Sequence, residues 1–302
     1  MIREICKEMN IPQDSTEVFV SAWEQVQSNA EAKKEFELAA ECYFRALEPS
    51  LAHLKKVAEL TGIVIHTVHY LLGLYFVPQF HTVCKMLGVP EDIYRDTLTD
   101  LRGKIFECRD RYGVDGTFVL FWYRRVYTCD VLKIGRLEFE PEQWRGEQYA
   151  PLLKKGTPTY HLHILSGEPF TPELVLDSLK RGYEFYHIAE TKTKIMILEC
   201  SSWLLYPPTV ALYKKGGNLD RFCSLFDIVS CKESGGFGSA WRVFGVQPTE
   251  ETLPDMPEDN SMRRAFKQYL LNGGKMGTGH GVFFFDGERV LTKEEAQKLA
   301  AL

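Results

Sequence analysis

His161 and His163 stand two residues apart in the stretch "YHLHILSGEPFTPELV", residues 160–175. On an extended strand this spacing turns both imidazoles to one face. There they hold a metal if a third ligand comes near, or one of them serves as a general base at neutral pH. Glu199 and His280 are available as further ligands, but no spacing brings them close, and no metal is expected. A second stretch, "ECSSWLLYPP" (residues 199–208), closes an apolar run with Glu199, Cys200, Ser201 and Ser202. Open sheets place ligand groups at such strand ends, although the serines serve equally well to cap a following helix, with Trp203 in the core. No cysteine-hydrolase signature surrounds Cys200, so it reads as a buried thiol. The glycine run "NGGKMGTGHG" (residues 272–281) invites a phosphate loop with Lys275. It follows a helix, however, and meets the carbonyl end, the wrong polarity for an anion. Gly273 and Gly274 read as a helix stop, the later glycines as a tight turn, and "SGGFG" (residues 234–238) as a hairpin turn.

Two kinds of element must position these residues. From Asp14 to Tyr112 apolar residues recur at helical spacing. Phe19, Ala22, Trp23 and Val26 form one stripe behind Asp14 and Ser15 as caps. Phe36, Ala39, Ala40, Tyr43, Phe44 and Leu47 form another that ends or kinks near Pro49. The apolar run from Gly62 to Val77 carries His66 and His69 and falls short of the roughly 20 residues of a membrane span, so it reads as a buried helix. Pro90 at a first position and Gly113 as cap bracket a helix over 91–112. After Gly113 the period changes. "TFVLFWYRRVYTCDV" (117–131), "LKIGRLEFE" (132–140) and "TYHLHILS" (159–166) read as half-buried strands. A helix capped by Thr171 and begun by Pro172 follows, then the buried strand "KIMILEC" (194–200). Further strands are expected around 222–229 and 240–244, a helix over about 260–271, and a last strand in "GVFFF". The order predicts an all-helical domain over 1–113 and an α+β sheet domain, mainly antiparallel and flanked by helices, over 114–302.

A chain of 302 residues accommodates two such domains. Its 36 basic and 41 acidic residues are mixed along the chain, giving a net charge of -5. That excludes the basic field that nucleic acid or an anionic membrane surface requires. Eight scattered cysteines form no C-x-x-C pair, which argues for reduced thiols in a cytoplasmic protein and against a zinc knuckle. The N-terminus carries Glu4 and Glu8 where a signal peptide needs an unbroken apolar run. Nothing in the sequence fixes an oligomeric state.

The phrases "GRLEFE", "HLHILSGEPFT", "CSSWLL", "NLDRF" and "DNSMRRAFKQYLLNGGKMGTGHGVFF" are together similar to a two-domain family of bacterial acyltransferases. In that family a helical N-terminal domain precedes a GNAT-like C-terminal domain. The resemblance implies an N-acyltransferase with acyl-CoA, such as acetyl-CoA, as co-substrate and a small-molecule amine as acceptor. It implies that a splayed strand pair admits the thioester. Glu199 would take the amine proton, directly or through water, Tyr206 would protonate the leaving thiolate, and His161 is a further base. His163, Ser201, Ser202 and Trp203 would line the pocket, and Ser166 and Gly167 would lie at the CoA pyrophosphate. The family's Gln/Arg-x-x-Gly-x-Gly/Ala loop is here "SGEPFTPE", with one glycine and two acidic residues. Glu168 and Glu173 oppose an anion at that helix start, Pro172 offers no N–H, and Phe170 crowds the approach. The alternative is a non-catalytic binding or sensor protein that kept the fold and lost the pyrophosphate loop.

Overall fold

The computed structural model describes residues 1–301. It separates into two compact units, Met1–Lys133 and Ile134–Leu302. The first holds seven helices: α1 (Ile2–Glu8), α2 (Gln13–Ser28), α3 (Ala30–Tyr43), α4 (Leu47–Thr61), α5 (Ile65–Met86), α6 (Glu91–Tyr112) and α7 (Leu120–Tyr127). The boundary falls after Lys133 rather than after Gly113, because 120–127 is a helix and not the strand its aromatic and branched composition suggested. Val126 and the tyrosines Tyr123 and Tyr127 are buried within this helical unit, so packing overrides β propensity.

The predicted helix over 91–112 is present, ended by Gly113 at φ 70°, although Pro90 is its N-cap rather than its first residue. Pro49 lies in the first turn of α4, where its missing N–H costs nothing, instead of kinking the stripe before it. The apolar run after Gly62 forms α5, whose Val68, Leu71, Leu72 and Phe80 are fully buried. Among the described residues no single helix is long and apolar enough to cross a membrane, and α4 and α5, which together would suffice, bend by 120° at their break. Three buried tyrosines of this unit satisfy their hydroxyls on backbone carbonyls. Tyr43 donates to Leu120 O at 2.6 Å, Tyr127 to Gly73 O at 2.6 Å and Tyr70 to Leu101 O at 3.1 Å.

The second unit is built on a sheet with order β1-β2-β3-β4-β6-β5, whose first strand begins at the unit boundary, β7 pairing the free end of β6. Its strands are β1 (Leu132–Ile134), β2 (Leu137–Gln143), β3 (Pro158–Ile164), β4 (Met196–Ser202), β5 (Asp227–Glu233), β6 (Gly277–Phe285) and β7 (Val290–Leu291). All pairs with a defined register are antiparallel except β3 with β4, joined by the crossover helix α8 (Pro172–Phe185). Thr171 caps α8 as expected, accepting from the Leu174 N–H. One sheet face is apolar: Phe139, Leu162, Leu198, Cys200, Phe283 and Phe285 lie on it, and α8 covers part of it with Val175 and Leu179. Gly182 lets α8 approach closely, since a Cβ there would meet the Phe139 ring at 2.8 Å.

The later part of the chain departs from its sequence pattern. Residues 218–223 and 241–244 are the short helices α10 (Asn218–Cys223) and α11 (Trp241–Phe244), following α9 (Pro207–Val210), and only 227–233 of that region is strand. "SGGFG" opens a long excursion through α11 and α12 (Ser261–Leu271), not a hairpin. The chain closes with α13 (Lys293–Ala300), held by a capping box between Thr292 and Glu295. The glycines of "GTGHG" are not a turn but the start of β6. Their absent side chains make room for the Tyr206 ring at Gly277, the Leu205 carbonyl at Gly279 and Phe226 at Gly281.

A Cβ on Gly279 would lie 2.0 Å from the Leu205 oxygen, a backbone atom that cannot step aside cheaply. Gly279→Ala should therefore cost about 2–3 kcal/mol in urea unfolding, the upper part of the overpacking range. Gly103→Ala in α6, where nothing lies within 4 Å, should instead gain about 0.5–1 kcal/mol. Equal effects of the two changes would contradict the close approach at β6.

Candidate active site

The second face of the sheet changes character along β4. Ile195 and Ile197 join Trp144, Leu153, Val282, Phe284, Leu291 and Ala296 in a small apolar core. Two residues further on the same face stands Glu199, and two beyond that Ser201. Register brings the other polar groups beside them: Glu138 opposite His163, Glu140 opposite His161, His161 beside Glu199, and Ser201 opposite His280. Glu138, Glu140 and Glu199 are all buried, at 1%, 3% and 7% exposure. The sequence alternation Leu137-Glu138-Phe139-Glu140 is real, but its charged side is not the solvent side.

Buried carboxylates require hydrogen-bond partners, and two have histidines. The Nε2–H of His163 donates to Glu140 Oε2 at 2.7 Å, and that of His280 to Glu199 Oε2 at 2.8 Å. The Thr159 hydroxyl donates to the other Glu199 oxygen. Burial pushes the Glu199 carboxyl up, but the bonds from His280 and Thr159 outweigh it, and the group stays below its ordinary range. Trp144 packs at the border of the apolar core with its ring 5.2 Å from that of His280.

His161 differs from its two neighbours. Its Nε2 accepts the Ser201 backbone N–H at 3.3 Å, so the neutral ring carries its proton on Nδ1. Burial, and then the neighbouring His163 ring 4.8 Å away, lower its pKa to about 4. This bond bridges a gap. The parallel pair β3–β4 is in register only at Tyr160 with Leu198 and His161 with Glu199, although both strands run on to Ile164 and Ser202. Between Leu162–Ile164 and Cys200–Ser202 the paired register lapses, an opening in the ladder at whose base the imidazole of His161 reaches across to the Ser201 N–H.

The structure thus gathers His161, His163, Glu199 and Ser201 on one face around the opening. It places Tyr206 elsewhere. The Tyr206 ring packs over Gly277, on the side of β6 opposite His280, and burial raises its pKa. Ser202 caps the 3-10 turn of Trp203–Leu205, accepting from Leu204 N–H, and the Trp203 ring packs against Phe266 at 5.9 Å. Ser166 and Gly167 lie in the exposed loop from β3 to α8, with Gly167 at φ 81°. That loop is organised by a residue the sequence reading did not single out. Arg136, 6% exposed, donates to the carbonyls of Leu165 at 2.6 Å and Pro169 at 2.7 Å and stacks over Phe170 at 4.8 Å. Sequence reasoning also passed over Glu140, Thr159 and Trp144. For Glu140 the signal was present, as a carboxylate two residues from Glu138 on a strand next to paired histidines. Among the described residues no group of three potential ligands is placed to hold a metal ion.

A helical unit, a mixed sheet with one splayed parallel pair, and a crossover helix between that pair define a GNAT-like protein with an added helical domain. Comparison with known families agrees with this class. Residues 1–129 match the N-acyltransferase N-terminal domain and residues 131–283 the GNAT-like C-terminal domain. The chain belongs to the two-domain N-acyltransferase family that these models describe. No curated protein sequence matches it. Among solved structures, an acyltransferase in complex with decanoyl-CoA and teicoplanin has the same fold, with TM-score 0.69 at 17% identity over 93% of this chain and 86% of that one. An acyltransferase in complex with decanoyl-CoA gives 0.68 at 19% identity with the same coverage, and an acyltransferase mutant in complex with octanoyl-CoA gives 0.66 at 18%, over 92% and 86%.

The low pKa of His161 has a consequence for stability. The unfolded chain binds a proton near the ordinary value of about 6.5 while the folded ring does so near 4, so stability falls as pH drops through that window. His69, which burial also lowers to about 4, contributes in the same direction. Unfolding free energies measured from pH 7 to 4 should fall less steeply in His161→Asn than in the unaltered protein, with the His69 share remaining. An unchanged slope would show that the ring is not held neutral.

Proposed function

We propose that the protein is an acyl-CoA-dependent N-acyltransferase that moves an acyl group to the amine of a small-molecule acceptor. The observation that carries this reading is the opening between β3 and β4 with a carboxylate-held histidine on its edge. His163 lies on the part of β3 that has left its partner. Because its Nε2–H is committed to Glu140, the Nδ1 lone pair is its basic site. In the proposed reaction the amine nitrogen attacks the thioester carbonyl carbon, a C–N bond forms and the C–S bond breaks. His163 takes the proton that the nitrogen loses and returns it to the departing thiolate, so the products are the amide and free CoA thiol.

Glu140 is a positioning residue in this scheme, fixing the tautomer and angle of His163 as a carboxylate does for a catalytic imidazole. His161 is a poorer base, being neutral and already bonded to Ser201, and its part is to link the two strands at the base of the opening. Glu199 and His280 form a second histidine–carboxylate pair on the same face of the sheet. Tyr206 faces the other way and takes no part in the proton transfer. The solved acyltransferases of the same fold hold decanoyl- and octanoyl-CoA, and one holds teicoplanin, which supports medium-chain acyl-CoA as donor and a small-molecule acceptor.

Thermal unfolding with millimolar decanoyl-CoA, acetyl-CoA, CoA or ATP tests donor binding. Micromolar affinity stabilises by about 4 kcal/mol at that concentration, so the acyl-CoA compounds should raise Tm by several degrees and ATP should not. Thiol release from decanoyl-CoA in the presence of amine acceptors then reports transfer. His163→Asn should lower kcat about 100- to 10,000-fold with little change in acyl-CoA affinity, and Glu140→Gln should lower it less while shifting the pH profile. Full activity in His163→Asn removes the assigned base, and a melting curve indifferent to every CoA compound removes the donor.

A further inference from the structure

Apart from the sheet site, the helical unit holds two thiols in contact. Cys84 lies near the end of α5 and is 1% exposed, and Cys129 follows α7 and is partly exposed. Their sulfurs are 3.7 Å apart, although 45 residues separate them in sequence. Cys129 reaches this position with φ 59°, a left-handed backbone that residues with a side chain seldom adopt. Its N–H is nonetheless tied to Val126 O at 2.9 Å, so the turn that aims the sulfur is fixed.

We propose that Cys84 and Cys129 are an oxidative modification site, a dithiol that hydrogen peroxide converts to a disulfide. Cys129 is the attacking sulfur because it has access to solvent, and Cys84 resolves. Because Cys129 is the sulfur open to solvent, it is the one that ionises, and the S–H of Cys84 then supports its thiolate, lowering the Cys129 pKa and raising that of Cys84. The Cys129 thiolate attacks one peroxide oxygen, the O–O bond breaks, and a sulfenic acid and water result. The Cys84 sulfur then attacks the sulfenic sulfur and expels a second water. Two thiols lose two electrons and two protons, and the peroxide is reduced to two waters. Closing the sulfurs from 3.7 Å to the roughly 2.05 Å of a disulfide is a small displacement at the end of a helix and a turn.

The bond ties α5 to the chain just after α7, the two helices on which Tyr127 meets Gly73. In a reducing compartment such a bond forms transiently and senses oxidant instead of serving as a permanent staple. The other cysteines are internal controls. Cys231 is exposed, and Cys200 and Cys223 are both buried.

The test treats the full-length protein with stoichiometric hydrogen peroxide, blocks remaining thiols and maps peptides without reduction. The expected result is a Cys84–Cys129 linked peptide formed before any adduct on Cys231, and a Tm several degrees above that of the reduced protein. With dimedone present, Cys84→Ser should trap a sulfenic acid on Cys129, whereas Cys129→Ser should leave Cys84 unmodified. Oxidation of Cys231 while the Cys84 and Cys129 peptides remain reduced would overturn the proposal. So would trapping of the sulfenic acid on Cys84 in Cys129→Ser, since it would reverse the assigned roles.

Discussion

Burying three carboxylates on one face of a sheet is the constraint around which the second unit is arranged. Glu138, Glu140 and Glu199 are shut away from water. A buried charge left alone costs several kcal/mol. For Glu140 and Glu199 the sheet meets this by register: His163 and His280 each come within hydrogen-bond reach of a carboxylate, and Thr159 supplies the second donor to Glu199. The strand order places β3 and β4 side by side, so both histidine-carboxylate pairs flank one opening. The polar face is therefore costly for folding and at the same time the part with chemistry to offer, and these are one fact seen from two sides.

The opening depends on the parallel pair. Antiparallel neighbours on either side keep β3 and β4 fixed where they are in register, while beyond His161 and Glu199 their pairing lapses without losing the sheet. An imidazole held neutral spans the base of the opening and satisfies the Ser201 N–H, which would otherwise face the gap unpaired. Below this point the same face is closed by the apolar packing of Trp144, Ile197 and Phe284, so the polar region is bounded at one end by a dry core.

The sequence was most readable where one local signal ruled. The helix over 91–112 with its terminal Gly113, the cap at Thr171 and the common face of His161 and His163 follow from single residues and strand period. It was least readable where distant packing decided. Residues 120–127 have strand composition and fold as a helix because the helical unit buries their aromatic rings. The glycines of 277–281 resemble a turn and form a strand because three separate groups, from Leu205, Tyr206 and Phe226, occupy the places where side chains would be. Glu140 passed for a surface residue because alternation distinguishes two faces but does not say that the second is covered. Tyr206 and Glu199, seven residues apart, were read as partners, and the turn at Trp203–Leu205 carries the chain round to the opposite face. The "SGEPFT" corner lacks a glycine-rich loop, and the buried guanidinium of Arg136, invisible as a motif, gives that corner its shape instead.

Strand β6 is divided by its glycines into two sides with unequal freedom to vary. Positions 277, 279 and 281 are closed to any larger residue by the atoms that press on them, while on the reverse side Thr278 is exposed and His280 is tied to the buried Glu199. A lineage of related proteins can thus exchange the group at 278 with the scaffold behind it unaltered, whereas a change at 280 has to be matched by one at Glu199. Diversification of this strand is confined to one surface, and that surface is the one that bears the histidine.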